Sequence, residues 1–123
     1  MKISPWLLAA CLFASAVAAQ NYPAKPIRIV VTSFGSGPDL MARLVGQRLT
    51  EAWGQQVIVD ARVGATGRIA AEHVARSPAD GYTLMMVTSQ FAIGSALYDK
   101  LTYDPIKDFV PVALMASTPF VLV

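Results

Sequence analysis

Two short glycine-bearing stretches carry the residue types best suited to gripping an anion. Ser33-Phe34-Gly35-Ser36-Gly37-Pro38-Asp39 and Arg62-Val63-Gly64-Ala65-Thr66-Gly67 each follow a β-branched run and precede an apolar stripe at helical spacing. A helix start presents unpaired N–H groups and a partial positive charge, so a loop that opens a helix suits a carboxylate. Gly35, Gly37, Gly64 and Gly67 let the backbone approach a ligand without a Cβ in the way. Ser36, Thr66, Thr88 and Ser89 add hydroxyls that donate to such a group. A glycine after a strand also serves as a plain turn, and Gly35-Ser36-Gly37 alone does not separate the two uses.

Other chemistries fit the residues less well. A dinucleotide loop needs a third glycine where Leu40 stands, and the Gly-Lys-Ser/Thr ending of a P-loop is absent. No Gly-x-Ser-x-Gly elbow offers a nucleophile. His73 is the single histidine and falls mid-helix among apolar neighbours, where a structural role is expected. Asp39 fits a helix start better than a general base, and Asp60, ending a strand, is placed to pair with Arg62. No His/Cys cluster suits zinc, and the acidic residues lack calcium-loop spacing. Ten Lys and Arg against eight Asp and Glu, with no basic run, give no footprint for nucleic acid. The residues give catalysis little support and call for no cofactor and no metal.

The elements that must position these loops begin after a leader. Lys2 precedes an apolar run from Trp6 to Ala18, and Ala16-Val17-Ala18 and Val17-Ala18-Ala19 both offer the small residues a signal peptidase reads. Residues 1–19 are therefore expected to be a cleavable signal peptide. The run is shorter than the ~20 residues that span a bilayer. Leu8-Ala9-Ala10-Cys11 resembles a lipoprotein box, but a cut there leaves a very short leader while the apolar run continues through Leu12 and Phe13. Cleavage near Ala19 removes Cys11, the only cysteine, so the mature chain has no disulfide.

Residues 20–123 leave room for one domain at most. Ile27-Arg28-Ile29-Val30-Val31 reads as a buried strand. The helix after it carries Leu40, Met41, Leu44, Val45, Leu49, Ala52 and Trp53 on one stripe. Ser36 and Asp39 stand at capping-box spacing, and Gly54 at the C-terminal cap. The pattern repeats. Gln56 to Asp60 is a strand, Ile69 to Ala75 a helix with Ile69, Ala70, His73 and Val74 on one face, and Tyr82 to Val87 a third strand. Thr88-Ser89-Gln90 opens the next loop and Phe91 to Leu97 a short helix or turn. Asp104-Pro105 marks a turn, and Phe109 to Ala116 and Phe120 to Val123 read as strands. Strands alternating with helices imply βαβ units in a mainly parallel α/β sheet. An open sheet of this kind binds ligands beyond the carboxyl ends of its strands, where the loops 33–39, 62–67 and 88–90 leave. The terminal Phe120-Val121-Leu122-Val123 has no polar finish, as expected of a truncated chain.

Several words along the chain resemble the tripartite tricarboxylate transporter receptors, or Bug family. They are Tyr22-Pro23 with Lys25-Pro26-Ile27-Arg28, then Asp39-Leu40-Met41-Ala42-Arg43-Leu44, then Gly64-Ala65-Thr66-Gly67. Asp80-Gly81-Tyr82-Thr83-Leu84 follows, and Leu97-Tyr98, Tyr103-Asp104-Pro105, Lys107-Asp108-Phe109 and Pro111-Val112-Ala113 close the series in order. The resemblance implies a periplasmic-binding-protein-like (type II) lobe, one half of a two-lobed flytrap whose second lobe is missing or incomplete here. It implies a periplasmic receptor, monomeric at full length, that hands small organic acids (dicarboxylates, tricarboxylates or amino acids) to membrane transporter subunits. By matching position the ligand-binding residues are Phe34, Gly35, Ser36, Gly37, Asp39, Gly64, Ala65, Thr66, Gly67, Thr88 and Ser89. The chain departs from the family pattern at Thr32-Ser33, Ala61, Val63, Thr66 and Arg68. Arg68 is expected to reach solvent rather than a second carboxylate. The competing expectations are a secreted α/β enzyme fragment with catalytic residues beyond Val123, or a gene remnant without function of its own.

Overall fold

The computed structural model describes residues 22–98 and 100–117. The expected signal peptide and the expected strand at 120–123 lie outside the described residues. The elements run β1 (Ile27–Val31), α1 (Gly37–Trp53), β2 (Val57–Ala61), a 3-10 turn (Ala65–Gly67), α2 (Arg68–Ala75), β3 (Thr83–Met85) and α3 (Ser89–Leu97). The strands form one parallel sheet in the order β2-β1-β3. This is the expected α/β architecture, with β1 central. The carboxyl ends of β1 and β2 stand side by side, because Val31 pairs with Ala61. The loops after them therefore emerge as neighbours.

β1 is central because its β-branched residues suit burial on both faces. Ile27, Val30 and Val31 are fully buried. Ile29 and Val31 face α1, where Ala42 meets them and Val57, Val59, Ala61, Leu84 and Met86 fill in around. Strand alternation turns Val30 to the other side, where α2 packs on β1 and β3 with Ala70 and Ala71 fully buried.

α1 begins and ends where expected. Ser36 is extended at the N-cap, Pro38 sits in the first turn, and Gly54 closes the helix at φ +67. Its buried face is not the expected one. Leu40 is 59% and Leu44 52% exposed, whereas Asp39, Ala42 and Gly46 are buried. The small residues let the helix lie close on the sheet. A Cβ on Gly46 would stand 3.2 Å from Val57 Cγ1, and Thr50 Oγ1 links the layers by donating to Gly46 O at 2.8 Å and accepting from Val57 N–H at 3.0 Å. α2 shows the same displacement, with Ile69 49% exposed.

Further boundaries shift. α2 starts one residue earlier than expected, at Arg68, and α3 two residues earlier than Phe91, so Ser89 and Gln90 belong to its first turn. β3 is the shorter Thr83–Met85. Residues 109–116 form no strand. Val110, Val112 and Leu114 are exposed there, since an apolar run becomes a strand only where a ladder partner takes its N–H and C=O groups. The Asp104 turn is present, with Asp104 Oδ1 accepting from the Ile106 and Lys107 amides at 2.9 and 3.0 Å. Among the described residues no helix is long and apolar enough to cross a membrane.

At the opposite sheet end the lead-in is clasped to the turn before β3. Tyr22 OH donates to Gly81 O and Ala24 N–H donates to Tyr82 OH, both at 2.8 Å. Lys25 pairs with Asp80 at 2.9 Å and lies 4.4 Å from the Tyr82 ring centroid.

Candidate anion site at the strand ends

The first loop is braced from within. Ser36 Oγ accepts from Asp39 N–H at 3.5 Å and from Ser33 Oγ at 2.7 Å. The Asp39 carboxylate reaches back to accept from Gly35 N–H at 2.9 Å, one residue earlier than a standard capping box. Its other oxygen meets Arg43 at 3.1 Å, and the residue is 3% exposed. Asp39 is thus an internal tie of loop to helix. Four amides at a helix start lack intrahelical acceptors; here Pro38 has no N–H and Asp39 N–H is taken by Ser36. At Gly37, the first residue of the helix, nothing lies within 4 Å of where a Cβ would stand.

The Gly35 N–H, and after it the Arg43 guanidinium, hold the Asp39 carboxyl below its ordinary value of 3.8. A carboxyl lowered by folding contributes stability above its unfolded pKa and loses it as pH falls through the folded one. We expect Asp39→Asn to lower the melting temperature at neutral pH. Its deficit against the wild type should narrow below about pH 4. Circular-dichroism melts from pH 7 to pH 2 read this, and a deficit constant with pH would remove Asp39 from the role.

The second loop is a left-handed turn. Gly64, Ala65, Thr66 and Gly67 have φ of +127, +47, +55 and +86, and Gly67 N–H closes the turn on Gly64 O at 3.0 Å. A left-handed conformation costs a non-glycine residue roughly 1–2 kcal/mol, and Ala65 and Thr66 both sustain it. Strain of this kind persists where surrounding structure enforces it and concentrates at ligand clamps. Gly67 lies so near β1's end that an added Cβ would stand 2.9 Å from Thr32 Cγ2. The two loops therefore touch through Thr32 and Gly67.

Beside this contact a cleft is lined by Thr32, Thr66, Gly67, Arg68, Met85 and Thr88, and closed by the α3 side and Tyr103. Its enclosed space is about 10 Å3, room for a single water. The far wall is aromatic: Phe91 and Tyr103 stack with centroids 6.1 Å apart, and Phe109, outside the lining, meets Phe91 edge-on at 5.2 Å. Burial raises the Tyr103 hydroxyl above its ordinary pKa, and the positive charge of Arg68 partly opposes this. Arg68 lies over the Tyr98 ring, 4.8 Å from its centroid.

Of the residues expected at the site, Thr66, Gly67 and Thr88 meet at the cleft. Gly64 and Ala65 form the turn behind it, and Ser89 sits in the first turn of α3. Gly35, Ser36, Gly37 and Asp39 lie beyond the cleft wall around the α1 start, with Gly35 and Ser36 held by the bonds above. Phe34 is 75% exposed, with Arg43 5.6 Å from its ring centroid. Thr32, Arg68, Met85, Phe91, Gly94 and Tyr103 join the wall without having been expected there, and Gln90 comes from the expected loop 88–90 without having been named as a contact. Thr32 and Met85 were within reach of the strand-end rule, since one follows β1 and the other ends β3. Phe91 and Tyr103 meet only through tertiary folding. The expected pairing of Asp60 with Arg62 is present at 3.1 Å, with Arg28 joining at 3.4 Å.

Residues 41–123 match the family described as tripartite tricarboxylate transporter family receptor. A UPF0065 protein of Bordetella bronchiseptica is 45% identical over 124 residues, which cover 99% of this chain and 36% of that protein. Among solved structures, MatC from Rhodopseudomonas palustris with bound malate is similar at a TM-score of 0.70 and 35% identity, over 76% of this chain and 33% of that one. An R. palustris protein with adipate gives a TM-score of 0.64 at 40% identity, over 68% and 29%. The chain spans about a third of the length of the curated relatives it matches. With that match across most of its length and a parallel lobe that superposes on periplasmic binding proteins, the chain belongs to the tripartite tricarboxylate transporter receptor family, whose members are solute-binding receptors and not enzymes.

Proposed function

We propose that this chain forms the acid-gripping face of a periplasmic receptor for small carboxylates, which passes them to the membrane subunits of a tripartite transporter. The observation that carries the reading is the meeting of two helix-opening loops at the Thr32–Gly67 contact, beside a cleft whose one charged wall residue is a cation, Arg68. Backbone donors at helix starts favour a carboxylate without requiring a charged partner for it. The relatives solved with malate and adipate support a small-acid ligand. Solution titration of the chain with malate, succinate, adipate and citrate, each against an uncharged polyol of matched length, tests this. The acids should bind and the polyols should not. Equal response to both, or none to any acid at tens of millimolar, would defeat it.

Export through the leader at 1–19 belongs to the same reading. The apolar run and the small residues before Gln20 support cleavage there. Mass spectrometry of protein recovered from the periplasm should find an N-terminus near Gln20. Retained Met1 or a lipid on Cys11 would contradict it.

A further inference from the structure

We infer that Arg43 is a positioning residue for acid binding: without touching the acid, it holds the first loop in shape and cancels the charge of a carboxylate buried at the start of α1. The inference rests on the carboxylate reading above. Asp39 stands one helical turn before Arg43, with its side chain 4% exposed, and the Arg43 guanidinium meets Asp39 Oδ1 at 3.1 Å. Among the described residues that oxygen has no other partner. Asp39 Oδ2 accepts from Gly35 N–H at 2.9 Å, and the same guanidinium lies 5.6 Å from the Phe34 ring centroid. Arg43 thus reaches two consecutive loop residues, Phe34 through its ring and Gly35 through the carboxylate. It does not line the cleft beside the Thr32–Gly67 contact.

A carboxylate in the first turn of a helix draws on the same positive end that a bound acid would use, and it repels that acid. Left unpaired at this depth, its charge is strongly disfavoured. Without Arg43 two courses are open to it at neutral pH. It can turn out to water and release Gly35 N–H, which loosens the loop. Or it can stay and set an uncompensated negative charge beside the acid. Either course weakens acid binding through no lost contact with the acid. The ion pair closes off both, and the cation over the Phe34 ring adds to the hold on the loop.

The test is a double-mutant cycle read by NMR titration with malate, on the 123-residue chain, Arg43→Gln, Asp39→Asn and the double variant, with Arg43→Lys alongside. Arg43→Gln should weaken malate about fivefold or more in the wild-type background. In the Asp39→Asn background the same change should cost less than about twofold, because the charge it cancels is gone. Arg43→Lys should lose less than Arg43→Gln, since it keeps the charge but not the planar face against Phe34. Without malate, the Gly35 amide follows protonation of the carboxylate it donates to. Its midpoint should move to higher pH in Arg43→Gln, because a nearby cation favours the charged form. Unchanged malate affinity in a folded Arg43→Gln, an equal loss in both backgrounds, or an unmoved Gly35 midpoint would overturn the inference while leaving the carboxylate site standing. If Arg43→Gln alone does not fold, the Asp39→Asn background decides: a loss of about fivefold there overturns the inference and one under about twofold supports it. If malate perturbs no loop amide of the wild type, the carboxylate reading falls and this inference with it.

Discussion

Gly67→Val is expected to destabilise the chain by roughly 2–4 kcal/mol, combining a left-handed backbone forced on a β-branched residue with an overpacked contact. Both causes are visible: φ is +86, and a Cβ at this position would stand 2.9 Å from Thr32 Cγ2. Thr32 follows directly on the buried end of β1, and turning its methyl aside still leaves its Cβ 3.4 Å from the added Cβ, with the valine methyls needing room beyond that. In a domain of this size the melting temperature should fall by about 10 °C or more. Gly37→Val is the contrasting case. Nothing lies within 4 Å of its added Cβ, and its φ is not in the left-handed region. That variant should melt within a few degrees of wild type and still lose acid binding, because a branched side chain at the helix start crowds the backbone that a carboxylate must approach. Thermal melts and acid titration of the pair check this. A Gly67→Val protein as stable as wild type would show that the loops do not meet as described, and a Gly37→Val protein with unchanged affinity would remove α1's start from the site.

The second large effect concerns affinity. The chain by itself should bind malate or adipate only in the millimolar range, about a thousandfold weaker than a micromolar receptor. Micromolar binding requires about 8 kcal/mol and millimolar about 4. Exposed helix starts contribute ~0.3–1 kcal/mol each. Hydrogen bonds to a charged acceptor contribute roughly 1.5–3 kcal/mol each only when sheltered from water. The enclosed space of the cleft is about 10 Å3, so a dicarboxylate cannot be sheltered in it as it stands. The chain also spans about a third of the length of its relatives, and so supplies only that share of their framework. Calorimetry on the chain should give no measurable heat below about 0.1 mM acid. Micromolar binding by a monomeric chain would show that these loops suffice without further enclosure.

Much of the fold was legible because local signals coincided. β1 carries five β-branched or long residues in a row, Ser36 and Gly54 mark both ends of α1, and the second loop repeats the arrangement of the first. The buried faces were less legible. Hydropathy ranks Leu40 and Leu44 above Ala42 and Gly46, but a helix that must lie against Val57 and Val59 needs small residues at the contact, and closeness outweighs side-chain hydrophobicity there. The apolar run at 109–116 reads as a strand because its composition suits one, yet pairing is a non-local property that composition does not supply. The site was legible in part for the same reasons. Glycines announced both loops, while the left-handed backbone of Ala65 and Thr66 is imposed by the fold on residues that do not advertise it. The aromatic wall joins Phe91 and Tyr103 from separate segments, with Phe109 packed against both, an arrangement that only tertiary folding supplies.

The most direct test is residue-resolved: an NMR titration of the chain with malate, following backbone amides. Malate should move the amides of Gly37, Gly64, Ala65, Thr66, Gly67 and Thr88 together with a single saturation curve, and leave those of the clasp at Tyr22, Ala24 and Tyr82 in place. Saturable shifts confined to the clasp or to the outer face of α1, with the loop amides unmoved, would contradict a carboxylate site at the strand ends.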